Sequence, residues 1–310
     1  MNKEIAILQL MHTKGIGQKK LSFLLRLLNN ENIPIEEFVQ FNVSDMIDLC
    51  KLKEETAIAI SESYDKCVAL SEELNQHEIK IMQIGDDEYP KKLQNILNEN
   101  SPPVLFVRGN LELFNSKSVG FCGSRKASDS GIKITGELVN QLVKKEINIV
   151  SGYAQGIDMA AHQYSLLANG VTTFVLSTGI LNFKLKNNLF DLIEPNNHLI
   201  ISEFLPRLGW HVQNAMQRNK TIIGLSDVMI LVESKLKGGT LEAGKESIKL
   251  KQPLFVVEYQ DQVEKYEGNK YLLKQGANSI LIPDEKPPNI DKVIGYLSKE
   301  KKHTIQTSLF

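Results

Sequence analysis

The pattern of apolar and polar positions changes near Glu78. Before it, over residues 1–75, apolar residues recur at steps of three and four, as in IAILQLMHTKGIGQKKLSFLLRLLNN. This is the period of amphipathic helices, and no β-rich run interrupts it. The pattern therefore predicts a small all-helical domain at the N-terminus, with a break at Gly15 and Gly17.

After Glu78, short apolar runs alternate with helical patterns. Strands that alternate with crossover helices form parallel sheets, and continuous apolar strands fit burial on both faces. The sequence therefore predicts an α/β domain with a parallel sheet. The predicted strands lie at 104–107, 118–122, 147–150, 172–176, 198–202, 228–232, 254–257 and 278–282. The predicted helices lie at about 131–145, 157–169, 213–224 and 240–251.

Four of the predicted strands end in turns rich in glycine or hydroxyl residues. The turns after parallel strands share one edge of the sheet, where ligands bind. Glycine lets backbone amides approach an anion, and a following helix directs its N-terminus towards it. Together the turns predict a phosphate-binding pocket, although packing alone would explain any single one. They are Cys122-Gly123-Ser124-Arg125, Ser151-Gly152-Tyr153-Ala154-Gln155-Gly156, Ser177-Thr178-Gly179 and Lys237-Gly238-Gly239-Thr240.

Cationic residues near these turns are further candidates. The segment Arg218-Asn219-Lys220 offers a bidentate fork and a point charge for phosphate, and a solvated helix start is the alternative. Glu203 follows a predicted strand and is a candidate partner for one of these cations. Lys184 and Lys186 follow the third turn, where ordinary surface lysines are the alternative.

Asp158 and His162 follow the second turn and lie one helical turn apart. An aspartate at a helix start caps free N–H groups and favours the helix dipole. An Asp–His pair can also fix an imidazole tautomer for acid–base chemistry. Because neither a nucleophile elbow nor an HExxH motif accompanies the pair, we predict structural roles for both and no catalytic residue.

Composition limits the classes of function. The chain has 310 residues, 42% apolar and 24% charged, with a net charge of −1, so anion binding requires a local basic patch. Isolated cysteines at 50, 67 and 122, and the lack of a signal-peptide pattern, predict a reducing, cytoplasmic location. The fingerprints GxGxxG and GxxxxGK[ST] are absent, so we predict no dinucleotide cofactor or P-loop chemistry, and no metal.

The order of these motifs resembles the DNA-processing protein A family, called DprA or Smf. The match covers roughly 80–282, and SGxAxGIDxxAH is its most specific part. The matching segments are Tyr89-Pro90, PPVLFVRGN, VGFCGSR, Gly131, SGYAQGID with AAH, Gly179, Ser202-Glu203, RNKTIIGLSD, VES and GNKYLLKQGAN. The resemblance implies an extended Rossmann-like sheet of the nucleotide-binding type over 76–283. A SAM-like or helix–hairpin–helix-like domain would precede it over 1–75, and a tail would follow over 284–310.

The same resemblance implies a non-enzymatic homodimer that binds single-stranded DNA and helps load a RecA-type recombinase, in natural transformation or other recombination. The family's DNA pocket maps onto Arg125 and the RNK segment, beside the turn at 151–156. Such binding rests on phosphates and is largely blind to sequence. The predicted DNA- or phosphate-binding residues are Gly123, Ser124, Arg125, Ser151, Gly152, Gln155, Gly156, Gly179, Lys184, Lys186, Arg218, Asn219, Lys220, Gly238, Gly239 and Thr240.

Several positions depart from the family pattern and indicate a divergent member. The usual RNR is Arg218-Asn219-Lys220, the preceding Phe-Pro is Met216-Gln217, and SGSLITA is GGTLEAG. An alternative function is enzymatic, because FCGS and GGTLE also resemble lysine-decarboxylase-like phosphoribohydrolases. Their catalytic glutamate would fall at Ala243, and Glu242 stands one residue early. A nucleotide-sensing domain without turnover is a third alternative.

The two ends of the chain carry further resemblances. Gly15-Ile16-Gly17 is similar to the hairpin of a helix–hairpin–helix, which would present amides to DNA phosphate, and a purely structural turn is the alternative. The last residues resemble the sliding-clamp motif QxxLF, so Gln306, Leu309 and Phe310 are candidates for clamp binding. A frayed tail is the alternative there.

Overall fold

A computed structural model describes residues 2–259, 263–283 and 286–298. Contacts between Cα atoms divide the chain into two compact units. Unit 1 comprises residues 1–115 and 172–225, and unit 2 comprises 116–171 and 226–310. The division differs from the predicted boundaries at 75 and 283, because the helical N-terminal segment groups with part of the α/β region.

The described residues contain fourteen α-helices and nine strands. The helices are α1 (Lys3–His12), α2 (Gln18–Asn30), α3 (Ile35–Phe38), α4 (Val43–Cys50), α5 (Glu54–Glu62), α6 (Tyr64–Gln76), α7 (Lys91–Leu97), α8 (Asp129–Val143), α9 (Ile157–Leu167), α10 (Asn187–Phe190), α11 (Val212–Leu225), α12 (Gly239–Lys249), α13 (Glu267–Lys274) and α14 (Asp291–Ser298). The strands are β1 (Lys80–Gln83), β2 (Val104–Gly109), β3 (Ser118–Cys122), β4 (Asn148–Gly152), β5 (Thr172–Val175), β6 (His198–Ser202), β7 (Val228–Leu231), β8 (Leu254–Glu258) and β9 (Asn278–Leu281).

In unit 1, six helices precede the first strand, which confirms the predicted helical N-terminal region. Asn2 and Asn42 cap α1 and α4 by accepting hydrogen bonds from backbone amides of the first turn. Gly17, at the predicted hairpin, is the N-cap of α2 and makes no side-chain capping bond. Among the contacts of this segment with the rest of unit 1, Arg207 Nη2 donates to both carboxylate oxygens of Glu73, at 2.5 and 2.6 Å.

The strands of unit 1 follow the order β1-β2-β6-β5. β5 and β6 are parallel as predicted, whereas β1 pairs antiparallel with β2 and β2 pairs antiparallel with β6. The sequence prediction missed β1 and expected a wholly parallel sheet. The segment KIMQ that forms β1 is short and half polar, so it lacks the continuous apolar run that marks a strand buried on both faces.

The strands of unit 2 follow the order β4-β3-β7-β8-β9, and the pairs β3–β4, β3–β7, β7–β8 and β8–β9 are parallel. Every residue of β3, β4 and β7 is buried, which accounts for their continuous apolar sequence. Their side chains share one core with β8, α8, α9 and α14, including Phe121, Leu138 and Phe255. Burial of each such side chain contributes about 1.5–3 kcal/mol, so the core fixes where the strand ends lie. The predicted α/β fold with its mainly parallel strands is confirmed.

A search of the described ranges reveals no helix long and apolar enough to cross a membrane.

Candidate phosphate-binding site

Three of the four predicted turns lie side by side in unit 2. β4, β3 and β7 are neighbours and run parallel, so the turns that follow them share the edge formed by their carboxyl ends. This edge is where open α/β sheets bind ligands. Gly179, the lysines at 184 and 186, and the RNK segment belong to unit 1.

The first two turns pack backbone against backbone at Gly156. This residue has φ of +85°, and a Cβ placed on it would lie 2.2 Å from the carbonyl oxygen of Ser124. The amide of Ile157, the first residue of α9, donates to the same oxygen at 3.2 Å. Only glycine fits both the left-handed conformation and this approach. The contact brings Ser124, Arg125, Gln155 and Gly156 together. The sequence predicted that the turns containing them share one edge of the sheet.

Hydroxyl side chains of the second and fourth turns hold the end of β3 in place. Thr240 Oγ1 donates to the carbonyl of Gly123 at 3.1 Å, and Ser151 Oγ donates to the carbonyl of Phe121 at 2.8 Å. Ser151 is completely buried, so its side chain supports the turn from inside. Gly238, the N-cap of α12, has φ of +113° and is exposed beside Gly239, in open space.

Arg125 is exposed at the tip of the first turn, next to the exposed Lys126. The backbone beneath them is fixed, because Ser124 Oγ accepts from the amide of Lys126 at 3.1 Å and the Gly156 contact closes the other side. A positive side chain is therefore presented on a rigid turn, which is the arrangement that phosphate binding requires.

Glu233 supports this loop and was missed as a site residue. It follows β7 in the segment VES and is 1% exposed. Its carboxylate accepts from the amide of Ser128 at 3.1 Å and from the Ser128 hydroxyl. Ser128 in turn caps α8 by accepting from the amide of Gly131 at 3.1 Å. An acidic residue directly after a fully buried strand was the available signal, because such a residue needs partners.

Asp158 and His162 both lie in α9, where their surroundings fit the predicted structural roles. His162 is completely buried, and its Nε2 donates to the carbonyl of Gly152 at 2.6 Å, which ties α9 to the end of β4. Asp158 lies in the first turn of α9, where its charge favours the helix dipole, but the N-cap itself is Gly156. The N-cap position thus belongs to Gly156, two residues before Asp158, and the capping role of the Asp158 side chain stays a prediction.

In unit 1, Gly179 lies tightly against the loop after β6. A Cβ on it would lie 2.2 Å from the carbonyl oxygens of Leu205 and Pro206, and its amide donates to Leu208 at 2.8 Å. Lys184 and Lys186 follow on an exposed segment. Gly179 therefore joins the loop after β5 to the loop after β6 in unit 1, while the two lysines are exposed.

Arg218 and Glu203 are both 4% exposed in unit 1. The Glu203 carboxylate accepts from Thr221 Oγ1 at 2.6 Å, from Gln217 Nε2 at 2.6 Å and from Gln18 Nε2 at 3.3 Å. Burial raises the pKa of Glu203, while these hydrogen bonds and the charge of Arg218 act to lower it. Asn219 and Lys220 are half-buried on the same helix, α11. The predicted link between Glu203 and a cation is thus an electrostatic interaction with Arg218.

The positions relevant to the enzymatic alternative do not form an acidic site. Ala243 is buried, whereas Glu242 is exposed and forms an ion pair with Lys245 at 2.9 Å. In the part of the chain that the structure describes, no group of three or more His, Cys, Asp and Glu side chains is arranged to hold a metal. The candidate clamp-binding residues, Gln306, Leu309 and Phe310, lie outside the described residues.

These features define an α/β protein of the Rossmann-like class, with glycine turns and an exposed arginine at the carboxyl ends of parallel strands. A sequence model described as "DNA recombination-mediator protein A" matches residues 80–288. The chain belongs to this family, which confirms the resemblance to DprA and Smf proteins.

Among its relatives, the DNA processing protein DprA of Streptococcus pneumoniae is 35% identical over 202 residues, covering 64% of this chain and 69% of that protein. DprA of Bacillus subtilis is 29% identical over 243 residues, covering 76% and 78%. The X-ray structure of the S. pneumoniae protein superposes with a TM-score of 0.73 at 28% identity, covering 90% of this chain and 94% of that one. A structure of Helicobacter pylori DprA, reported for its single-stranded DNA binding mode, has a TM-score of 0.56 at 25% identity, covering 71% and 94%.

Proposed function

We propose that this protein binds single-stranded DNA and, as a homodimer, helps load a RecA-type recombinase during DNA uptake or recombination. The observation that carries the DNA-binding part is the exposed Arg125 on a turn locked against Gly156. Family membership and the reported DNA-binding mode of the H. pylori relative support it. The proposed loading of a recombinase and the proposed dimerisation rest on family membership alone.

The chemistry of the turns suits a phosphate backbone. Backbone amides of Gly123, Ser124 and the turn at 151–156, with the guanidinium of Arg125, offer donors to phosphate oxygens without reading base edges. Overall charge is −1, so this local patch must supply the attraction. From unit 1 we propose Gly179, Lys184, Lys186 and the segment 218–220 as further contacts. From unit 2 we propose Gly238, Gly239 and Thr240.

We propose a non-enzymatic role. The family relatives are named for DNA processing rather than for a catalysed reaction. The position expected for the glutamate of a phosphoribohydrolase is the buried Ala243, and Glu242 pairs with Lys245. Release of free base from a nucleoside monophosphate by the purified protein would instead favour the enzymatic alternative.

Titration of a labelled single-stranded oligonucleotide, followed by fluorescence anisotropy, tests the DNA site. Arg125→Ala should lower affinity about tenfold, because one charge-assisted contact is lost. Its plot of log affinity against log salt should be shallower by about 0.7, the contribution of one phosphate on a single strand.

Lys145→Ala is the matched control, because Lys145 is an exposed cation just beyond the C-terminal end of α8, far along the helix from Arg125. Equal affinities of the Arg125→Ala and Lys145→Ala proteins would contradict the assignment. For the tail, a chain lacking residues 306–310 should lose binding to a purified sliding clamp while it keeps its affinity for DNA.

A further inference from the structure

A groove of about 530 Å³ extends from the Arg125 turn along one side of α9 in unit 2. It begins at Arg125, Gln155 and Gly156, which are residues of the proposed DNA site. It continues along a face of α9 that sequence reasoning did not single out. The remaining lining residues are Lys126, Ala127, Ile132, Met159, Ala160, Gln163, Tyr164 and Leu167.

The groove has a cationic end and an apolar body. Arg125 and Lys126 stand at the end next to the glycine turns, and no carboxylate is among the residues that line the groove. Ile132, Met159 and Leu167 supply apolar surface along its length. Such a site suits a ligand with a flat, weakly polar part joined to a negative group, which describes a nucleotide.

The face of α9 follows directly from the phosphate turn. Positions 156, 160, 163 and 167 recur at helical spacing, so they lie on one stripe of the helix. At 1.5 Å per residue, this stripe runs for about 16 Å from Gly156 to Leu167. If a phosphate of single-stranded DNA lies at Gly156, the base of the same nucleotide can therefore reach this face of α9.

Two side chains that line the groove suit contact with the ring of a base. Leu167 is 54% exposed, a large apolar side chain at the surface of unit 2. The Tyr164 ring is held against α8, where a Cβ on Gly136 would lie 2.7 Å from its Cζ. Gln155 and Gln163 carry amides that can both donate and accept, so they suit the edges of different bases.

We propose that this groove is a base subsite, which receives an unstacked base of single-stranded DNA whose phosphate lies on the turns at 123–125 and 155–156. This inference rests on the proposed function. A free mononucleotide has the same chemistry, and the experiment below separates the two sources.

The test compares a thymine oligonucleotide with an abasic oligomer of the same length and phosphate count, in anisotropy titrations at one salt concentration. The wild-type protein should bind the thymine strand roughly tenfold more tightly, because contact with a base adds to the phosphate contacts. Leu167→Ser should lose several-fold of the affinity for the thymine strand and none of the affinity for the abasic strand. Leu281→Ser is the matched control, since Leu281 is an exposed leucine of β9 outside the groove, and it should change neither affinity.

Four results would overturn the inference. Equal binding of the two strands by the wild-type protein, or an equal loss for both in Leu167→Ser, would leave phosphate binding intact and remove the base subsite. If thymidine monophosphate binds and Leu167→Ser weakens it while neither strand binds, the groove serves a free nucleotide. Absence of binding to every one of these probes would remove the proposed function as well.

Discussion

The two arginines proposed to meet phosphate lie in opposite environments. Arg125 is exposed on a turn between β3 and α8, whereas Arg218 is 4% exposed within α11 of unit 1, close to the buried Glu203. From sequence alone both were candidates for phosphate binding, Arg125 within a glycine turn and Arg218 at a predicted helix start. From these surroundings we propose that Arg125 is a principal phosphate contact, whereas the buried Arg218 contributes mainly to packing and only secondarily to phosphate binding.

The largest expected effect is on stability, in Arg218→Ala. Arg218 is 4% exposed, so removing its side chain leaves a gap in unit 1 and takes a positive charge away from Glu203, which should lower the free energy of unfolding by about 1–3 kcal/mol. Urea denaturation followed by circular dichroism measures the change. Arg26→Ala is the control in unit 1, because its ion pair with Glu99, at 3.8 Å, is exposed and should matter by less than about 1 kcal/mol.

The contrast also predicts which arginine controls DNA affinity. The tenfold loss expected for Arg125→Ala should occur with an unchanged urea midpoint, because this exposed side chain supports no core. If Arg125→Ala unfolded as readily as Arg218→Ala, or if Arg218→Ala lost affinity without losing stability, the distinction between the two regions would be wrong.

The pH dependence of stability in Glu203→Gln tests the environment of the buried Glu203 carboxylate. Because burial raises the pKa of Glu203 in the folded protein, folding favours its protonated form. The protonated carboxyl therefore contributes most to the free energy of unfolding below its ordinary pKa of 4.5. This contribution is lost as the pH rises through the raised pKa. The wild-type protein should lose stability relative to Glu203→Gln over that range, measured as urea midpoints at several pH values. Parallel pH curves for the two proteins would contradict a raised pKa.

The smallest effect is expected for Lys184→Ala and Lys186→Ala. Both lysines are exposed, where solvent and salt weaken a contact between charges, so each replacement should lower DNA affinity by only about two- to threefold. Anisotropy at low salt should detect the loss, and added salt should remove it. A loss as large as that of Arg125→Ala would mean that unit 1 carries a principal phosphate contact.

Much of the fold was predictable because burial imposes a period on the sequence. The predicted bounds of β3 and β6 agree with the structure at both ends, and α9 begins at the predicted residue. β1 and α7 were missed, since a short, half-polar edge strand and a seven-residue helix give too few periodic positions to be recognised.

The site divides in the same way. Glycine turns and cations were visible as local signals, and the order of the motifs identified the family. The contacts that support them were not visible: Glu233 reaches Ser128 across 105 positions of the chain, and Gln18 reaches Glu203 across 185. No local pattern encodes such pairs, because their formation depends on where separate elements pack.

The sequence by itself determined most of the helices and strands, where the glycine turns occur and which family the chain belongs to, because periodicity, turn chemistry and motif order are local properties. Only the tertiary structure decided that the first two turns pack backbone against backbone at Gly156, that β1 and β2 pair antiparallel, and that Arg125 is exposed while Arg218 is buried. Exposure and pairing depend on which distant elements cover a residue, and that is a property of the packed molecule.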